Sequence, residues 1–263
     1  MCKRVLVTGV ARGIGRAIAE RFLQEGYMLI GTYYTSKEMA YELENQFGAD
    51  RVHLFGPYDF TDLDEVRSLL VVLKSYKYDV IICNAGVFSE NDDFNNFDLY
   101  EFNRTMNCNF YTPLLITTEL RDNVNRNGSI VIMSSNDAYF GAFASMSYSI
   151  SNSALLSLVK CLSINYGEKN VRVNSVAPGL IDTDMNTPEG MNLAPYFTPI
   201  SRCGTPSDVA SVVYFLASNE AGFVNGENIT IDGGYRNVSV LLKSEADPAF
   251  SCILQRLVDD KYK

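Results

Sequence analysis

The chain is poor in positive charge and in histidine. Its 263 residues carry 22 Lys and Arg against 31 Asp and Glu, a net charge of −9, and one histidine, His53. A nucleic-acid or anionic-membrane surface needs a basic face, so this balance argues against both as partners. It leaves room for a small basic pocket around one phosphate. A lone His53 at the start of an apolar stretch reads as structural or exposed, so a catalytic proton must come from another group. The six cysteines, Cys2, Cys83, Cys108, Cys161, Cys203 and Cys252, contain no CxxC pair. That pattern argues against zinc and against a disulfide framework. It suits buried or partly buried thiols in a reducing, cytoplasmic setting, with no metal. Long apolar runs are missing too, so no membrane-spanning segment is expected. Residues 1–4 run straight into a strand-like stretch, which leaves no place for a signal peptide.

What is present is a well-stocked core. Hydrophobic residues make up 47% of the chain, which excludes bulk disorder. The length suits one α/β domain, and neither repeat nor linker marks a second. Residues 3–8, KRVLVT, read as a buried strand, followed by Gly9, Gly13 and Gly15 and then an amphipathic helix over 14–25. Strand, glycine turn and helix in that order let a backbone approach a pyrophosphate, with the helix N-terminus supplying free N–H groups. On the glycines alone, a tight βα turn without a ligand stays open.

The alternation continues. Strands are predicted at 27–33, 51–55, 78–83, 128–134, 170–176 and 226–232. Helices fall at 38–47, 63–76, 99–120 (with a kink or break near Pro113), 147–166 and from 202–206 to 216. Residues 89–98 read as an exposed acidic, Asn-rich loop. Residues 186–204, with Pro188, Pro195 and Pro199 among apolar side chains, read as a loop that closes over substrate. Strands alternating with helices predict a doubly wound parallel sheet, Rossmann-type, in a single domain.

The fifth strand delivers Ser134 and Ser135 at its C-terminal end, where open α/β sheets place ligands. Tyr148 follows thirteen residues after Ser135, at the start of a helix. A carbonyl that receives hydride becomes an alkoxide. Tyr148 can protonate it, and Ser135 can hold the same oxygen by a hydrogen bond. A half-buried aromatic and a strand-end hydroxyl are the plainer alternatives.

The motifs Thr8-Gly9-x-x-x-Gly13-x-Gly15, Asn84-Ala85-Gly86, Ser135…Tyr148 and Asn174…Pro178-Gly179 resemble, in order and spacing, the short-chain dehydrogenase/reductase family in its ketoreductase-like form. The resemblance covers about residues 1–235, including the lid at about 186–204. It leaves 236–263 as a C-terminal extension with a short helix near 251–260, set against a neighbouring subunit or over the active site.

The resemblance implies a dinucleotide held by Thr8, Gly9, Arg12, Gly13, Ile14 and Gly15. Asp59 would touch the adenine, and Asn84, Ala85 and Gly86 the ribose. Tyr148, Pro178, Gly179, Ile181 and Thr183 would surround the nicotinamide, and Asn107 would prop a proton-relaying water. It also implies a homo-oligomer, tetramer or dimer; Leu155, Leu158, Val159 and Leu162 suit an interface or a core equally. The end of the second strand carries no acid but Thr32, Tyr33, Tyr34, Thr35, Ser36 and Lys37. With Lys37 and Arg12 near a 2′-phosphate, NADP (NADPH) fits better than NAD.

One position departs from the family. Its motif places a lysine four residues after the tyrosine, and here that residue is Asn152. Lys160 lies eight residues beyond, about 12 Å along a helix, too far to substitute. Asn152 can bond a ribose but cannot supply the charge that lowers a tyrosine pKa. Two functions follow: an NADPH-dependent reductase of a small-molecule ketone, or an NADP(H)-binding relative with impaired catalysis and a regulatory or scaffold role.

Overall fold

A computed structural model describes residues 2–261 apart from 90, 91, 93, 96 and 142–144. Seven strands form one sheet in the order β3-β2-β1-β4-β5-β6-β7, all paired parallel. They are β1 Arg4–Val7, β2 Met28–Thr32, β3 Val52–Phe55, β4 Tyr78–Cys83, β5 Val124–Met133, β6 Arg172–Pro178 and β7 Asn228–Ile231. The helices are α1 Gly13–Gln24, α2 Lys37–Phe47, α3 Leu63–Leu73, α4 Leu99–Met106, α5 Thr112–Glu119, α6 Met146–Asn165, α7 Pro188–Phe197, α8 Pro206–Ala217, α9 Val240–Ala246 and α10 Pro248–Lys261.

The strands are apolar on both sides because both faces are covered. Val5, Val7, Val80 and Ile82 face one core cluster with residues of α1 and α8. Leu6, Ile81, Ile130 and Ile132 face the other, with α3, α5 and α6. Alternation along each strand feeds two layers of helix, the doubly wound arrangement. Leu155, Leu158, Val159 and Leu162 all lie in the second cluster, so packing within the chain accounts for them. The chain reverses direction between β1 and β4. The crevice above that switch point is where the glycine turn and residues 84–86 meet.

Three expectations are corrected, and the break expected near Pro113 is present. Residues 186–204 are not a plain loop. Thr187 caps α7 by accepting from the Gly190 N–H at 3.2 Å, and Pro188 takes the first position, where its missing N–H costs nothing. The stretch 99–120 breaks upstream of Pro113. Residues 107–111 form a π-helical turn in which the Thr112 N–H reaches back to the Asn107 carbonyl. In the 89–98 segment, residues 90, 91, 93 and 96 lie outside the described residues, yet Asp92 is fully buried. Its carboxylate accepts the Ser147 N–H and its carbonyl the Met146 N–H, so it caps α6 rather than facing water. Among the cysteines, Cys83 and Cys108 are buried, and burial pushes both thiols up to about 12, but Cys2, Cys161 and Cys252 are exposed.

The C-terminal extension folds back as two helices. Phe250 of α10 is buried edge-on against Phe197 of α7, with ring centroids 5.3 Å apart. Lys243 of α9 donates to the Tyr196 carbonyl and sits 4.6 Å from the centre of the Phe250 ring. The extension therefore packs against α7. Among the described residues no helix is long and apolar enough to cross a membrane.

Candidate active site

A cleft of about 630 Å³ opens at the switch point. Its floor is the glycine turn. Gly9 has φ +73° and Gly13 φ +57°, a region that L side chains rarely adopt. Gly15 has an ordinary φ but no room: a Cβ there would lie 2.0 Å from the Gly9 carbonyl and 2.4 Å from the Asn84 amide. Arg12 at the N-cap makes no side-chain cap, and the first turn of α1 holds no acid. The opening N–H groups of that helix are thus available to an anion, with nothing negative beside them.

Thr8 lies beneath this floor. Its Oγ1 accepts from the backbone N–H of Asn84 at 2.8 Å and of Ala85 at 3.0 Å. Asn84 Nδ2 donates to the carbonyls of Thr8 at 2.9 Å and Gly9 at 3.3 Å. Two short side chains thereby staple the end of β4 to the end of β1, and Ala85 and Gly86 form the adjoining wall.

Tyr34, Thr35 and Ser36 line the far end of the cleft with Arg12 and Asp59. The Asp59 carboxylate accepts from Thr61 N and Oγ1, both at 2.8 Å, and its charge pushes the Tyr34 phenol upward. Lys37 is not among the lining residues; its ammonium rests 5.7 Å from the centre of the Tyr41 ring. Arg12 pairs with Asp184 at 2.7 Å, tying the glycine turn to the segment that leads into α7.

The reacting end is built by β5 and α6. Ser135 ends the strand and caps a short turn, Asn136–Tyr139, by accepting the Asp137 N–H at 3.2 Å. Ser149 Oγ donates to the carbonyls of Asp137 at 2.9 Å and Phe140 at 2.7 Å, fixing that turn against α6. Ser135, Tyr148 and Asn152 consequently line one wall. Tyr148 packs edge-on against Phe88, with centroids 5.3 Å apart. Burial pushes the Tyr148 phenol above its ordinary 10; hydrogen bonding with Ser135 lowers it, the Asp137 carboxylate raises it, and hydrogen bonding with Asn152 lowers it. The net shift is upward, so the phenol is protonated throughout the neutral range.

Opposite, Gly179 fits because a Cβ would lie 2.7 Å from that of Asp232. Pro178, Ile181 and Thr183 complete this wall. The Ile181 carbonyl accepts from Asn186 Nδ2 at 2.6 Å.

Asn107 is not brought to the cleft. Its amide donates to the Thr61 carbonyl at 2.9 Å, and it lines a separate depression with Tyr100, Asn103 and Arg104. Asn109 takes the cleft position. It is buried, accepts the Val87 N–H at 2.9 Å and donates to the Val87 carbonyl at 2.9 Å. A signal for it was present: Pro113 stands four residues later and has no N–H for the Asn109 carbonyl, so that carbonyl is where a helix comes undone. Asp137, Phe88 and Tyr235 also line the cleft and were not singled out from sequence. A carboxylate or an aromatic in a loop carries no signature until its neighbours are known.

A fold of this topology, with a glycine-turn cleft lined by a serine beyond β5 and a tyrosine on α6, is that of a nucleotide-binding oxidoreductase. A family model described as enoyl-(acyl carrier protein) reductase matches residues 9–236. A short-chain dehydrogenase/reductase of Pestalotiopsis microspora is 35% identical over 88% of this chain and 94% of its own. Versicolorin reductase of Emericella nidulans is 34% identical over 88% of this chain and 95% of its own. Among solved structures, a short-chain dehydrogenase of Burkholderia cenocepacia in complex with NADP superposes with TM-score 0.83 at 30% identity, covering 89% of this chain and 98% of that one. The chain belongs to the short-chain dehydrogenase/reductase family.

Proposed function

We propose that this protein reduces a ketone carbonyl of a small molecule to an alcohol, with NADPH as cofactor. The observation that carries this reading is the convergence of Ser135 and Tyr148 with the glycine turn in one cleft. The residues present fit the cofactor. Gly15 and Gly9 leave room for a pyrophosphate, the first turn of α1 offers uncapped N–H groups, and the end of β2 has no carboxylate to repel a 2′-phosphate. Arg12 and the hydroxyls of Thr35 and Ser36 stand where that phosphate would lie. The NADP bound by the Burkholderia relative supports the same choice over NAD.

When bound, NADPH supplies the hydride. Tyr148, kept protonated by burial, gives its proton to the oxygen that takes up charge, and the Ser135 hydroxyl bonds that same oxygen. Asn109 ties the wall behind Val87. Asn152 stands where the family resemblance places a lysine. A neutral amide there leaves tyrosinate disfavoured, which suits reduction better than oxidation.

Residues 1–235 act as the cofactor-binding unit, with 186–204 as lid and 236–263 as a C-terminal extension whose helices α9 and α10 brace it. The family resemblance supports a homo-oligomer, tetramer or dimer, and the thiol pattern a cytoplasmic location. A second reading, NADPH binding without turnover, is favoured by Asn152 alone. A fluorescence titration with NADPH followed by a panel of ketones separates them: binding with turnover supports the reductase, and binding without turnover on any ketone supports the second.

A further inference from the structure

We infer that the preferred electrophile of this site is a cationic C=N group, the protonated imine of a small molecule, with the Asp137 carboxylate as its counter-ion. This rests on one part of the reading above, hydride transfer from NADPH in this cleft, and ranks a C=N acceptor above the ketone.

Charge in the cleft is unevenly placed. The charged side chains lining it are Arg12, Asp59, Asp137 and Asp184. Arg12 and Asp184 neutralise each other at 2.7 Å beside the glycine turn. Asp59 lies at the far end and is bonded to Thr61. Among the described residues that line the cleft, that leaves Asp137 as the unpaired charge near Ser135 and Tyr148. Its backbone N–H and carbonyl are used by Ser135 and Ser149, while its carboxylate has no hydrogen bond or ion pair among the described residues. Its field reaches the Tyr148 phenol. The residue one helical turn from Tyr148 is the neutral Asn152.

A ketone is poorly served by this arrangement. Its reduction builds negative charge on oxygen near a carboxylate, and among the described residues lining the cleft the one cation, Arg12, is already paired with Asp184. A protonated imine reverses each sign. It begins positive, next to an anion. Hydride forms the new C–H bond, the π pair of C=N becomes the nitrogen lone pair, and the product is a neutral amine as NADPH becomes NADP⁺. No proton leaves the protein in that step, so a charged helper for the tyrosine is dispensable. Asp137 holds the imine in its protonated, reactive form. Phe88, Tyr148 and Tyr235 line the same cleft, and aromatic rings are suited to a cation. Burial lifts the Asp137 carboxyl above the ordinary carboxylate range, a penalty that a bound cation relieves.

The test uses two probes of one shape, dihydroisoquinoline and α-tetralone, and follows NADPH oxidation. The imine is expected to exceed the ketone in kcat/KM by roughly tenfold or more, the scale of one partly screened charge pair. Asp137→Asn keeps the backbone bonds and is expected to cut the imine-to-ketone ratio by a similar factor; its fold is checked by NADPH fluorescence. Asn152→Lys, which adds a repelling cation, is expected to lower the ratio as well. A ketone turned over as fast as the imine, or a ratio unmoved in Asp137→Asn, overturns this inference and leaves the reductase reading standing. Turnover of neither probe, nor of any ketone, by NADPH-loaded protein overturns both.

Discussion

The Asn152 side-chain amide donates to the backbone carbonyl of Tyr148 at 2.9 Å. The two residues sit one helical turn apart on α6, and Asn152 is only 4% exposed. Its bonding is thus turned partly inward on the helix, and it brings no charge to the phenol. In Asn152→Lys an ammonium replaces the amide, and an opposite charge at that range lowers a pKa by about 1–3 units. Alcohol oxidation needs tyrosinate. The ascending limb of its pH–rate profile, set by loss of the phenol proton, should therefore move to lower pH by about that amount in the variant. An unmoved limb would show that residue 152 does not govern the phenol.

Arg12 is shared. In the structure it answers Asp184, an exposed pair of the kind worth at most about 1 kcal/mol. A charge-assisted bond to a 2′-phosphate is worth about 1.5–3 kcal/mol, so the phosphate wins. Arg12→Ala should weaken NADPH binding by roughly ten- to a hundredfold and leave NADH unchanged. Asp184→Asn should tighten NADPH by a few-fold. Equal losses for both cofactors in Arg12→Ala would remove Arg12 from phosphate recognition. Calorimetric titration reads each of these affinities.

Gly15 is required by space rather than by φ. An added Cβ would lie 2.0 Å from the Gly9 carbonyl, and the staple of Asn84 on Thr8 and Gly9 resists retreat. Gly15→Ala should cost at least about 1–3 kcal/mol of stability. It should also weaken NADPH binding, since the displaced backbone is the cofactor floor. Thermal unfolding with and without NADPH measures both; unchanged cofactor stabilisation would place the dinucleotide elsewhere.

Phe250 carries the extension onto the lid. Removing a fully buried Phe costs about 3–5 kcal/mol in a core. Here the loss falls on the contact with Phe197 of α7. Phe250→Ala should therefore raise KM for substrate several-fold while leaving NADPH affinity close to wild type. A loss of NADPH binding of equal size would show that the brace supports the whole fold instead of the lid.

The sheet was legible because the middle of its central strands is apolar and largely β-branched; Val80, Ile81 and Ile82 are the plainest case. The glycine turn and the Ser135–Tyr148 interval were legible because their chemistry depends on spacing along the chain. What was lost depends on geometry across it. Asn107 and Asn109 are the same residue type; Pro113, four residues after Asn109, marks where the helix comes undone, and the π-helical turn settles which one faces the cleft. Three prolines suggested a loop at 186–204. Pro188 instead starts a helix, and Pro195 is carried inside it by packing of Phe197 on Phe250. Asp92 looked like loop surface because a helix cap has no signature when it comes from more than fifty residues away. Lys37 was favoured for its charge, but its position past the turn into α2 directs it to Tyr41.

The most direct test of reduction at this site is transfer of the nicotinamide hydride. NADPH deuterated at its transferring position is incubated with a reducible small molecule and with wild type or Tyr148→Phe, and the product is examined by mass spectrometry. Deuterium should appear in the wild-type product. For a ketone the rate should fall by about 10²–10⁴-fold in Tyr148→Phe, while NADPH still binds. Ketone reduction at an undiminished rate in Tyr148→Phe would contradict the role of Tyr148, and a wild type that binds NADPH yet delivers no deuterium to any carbonyl or imine would contradict the reaction itself.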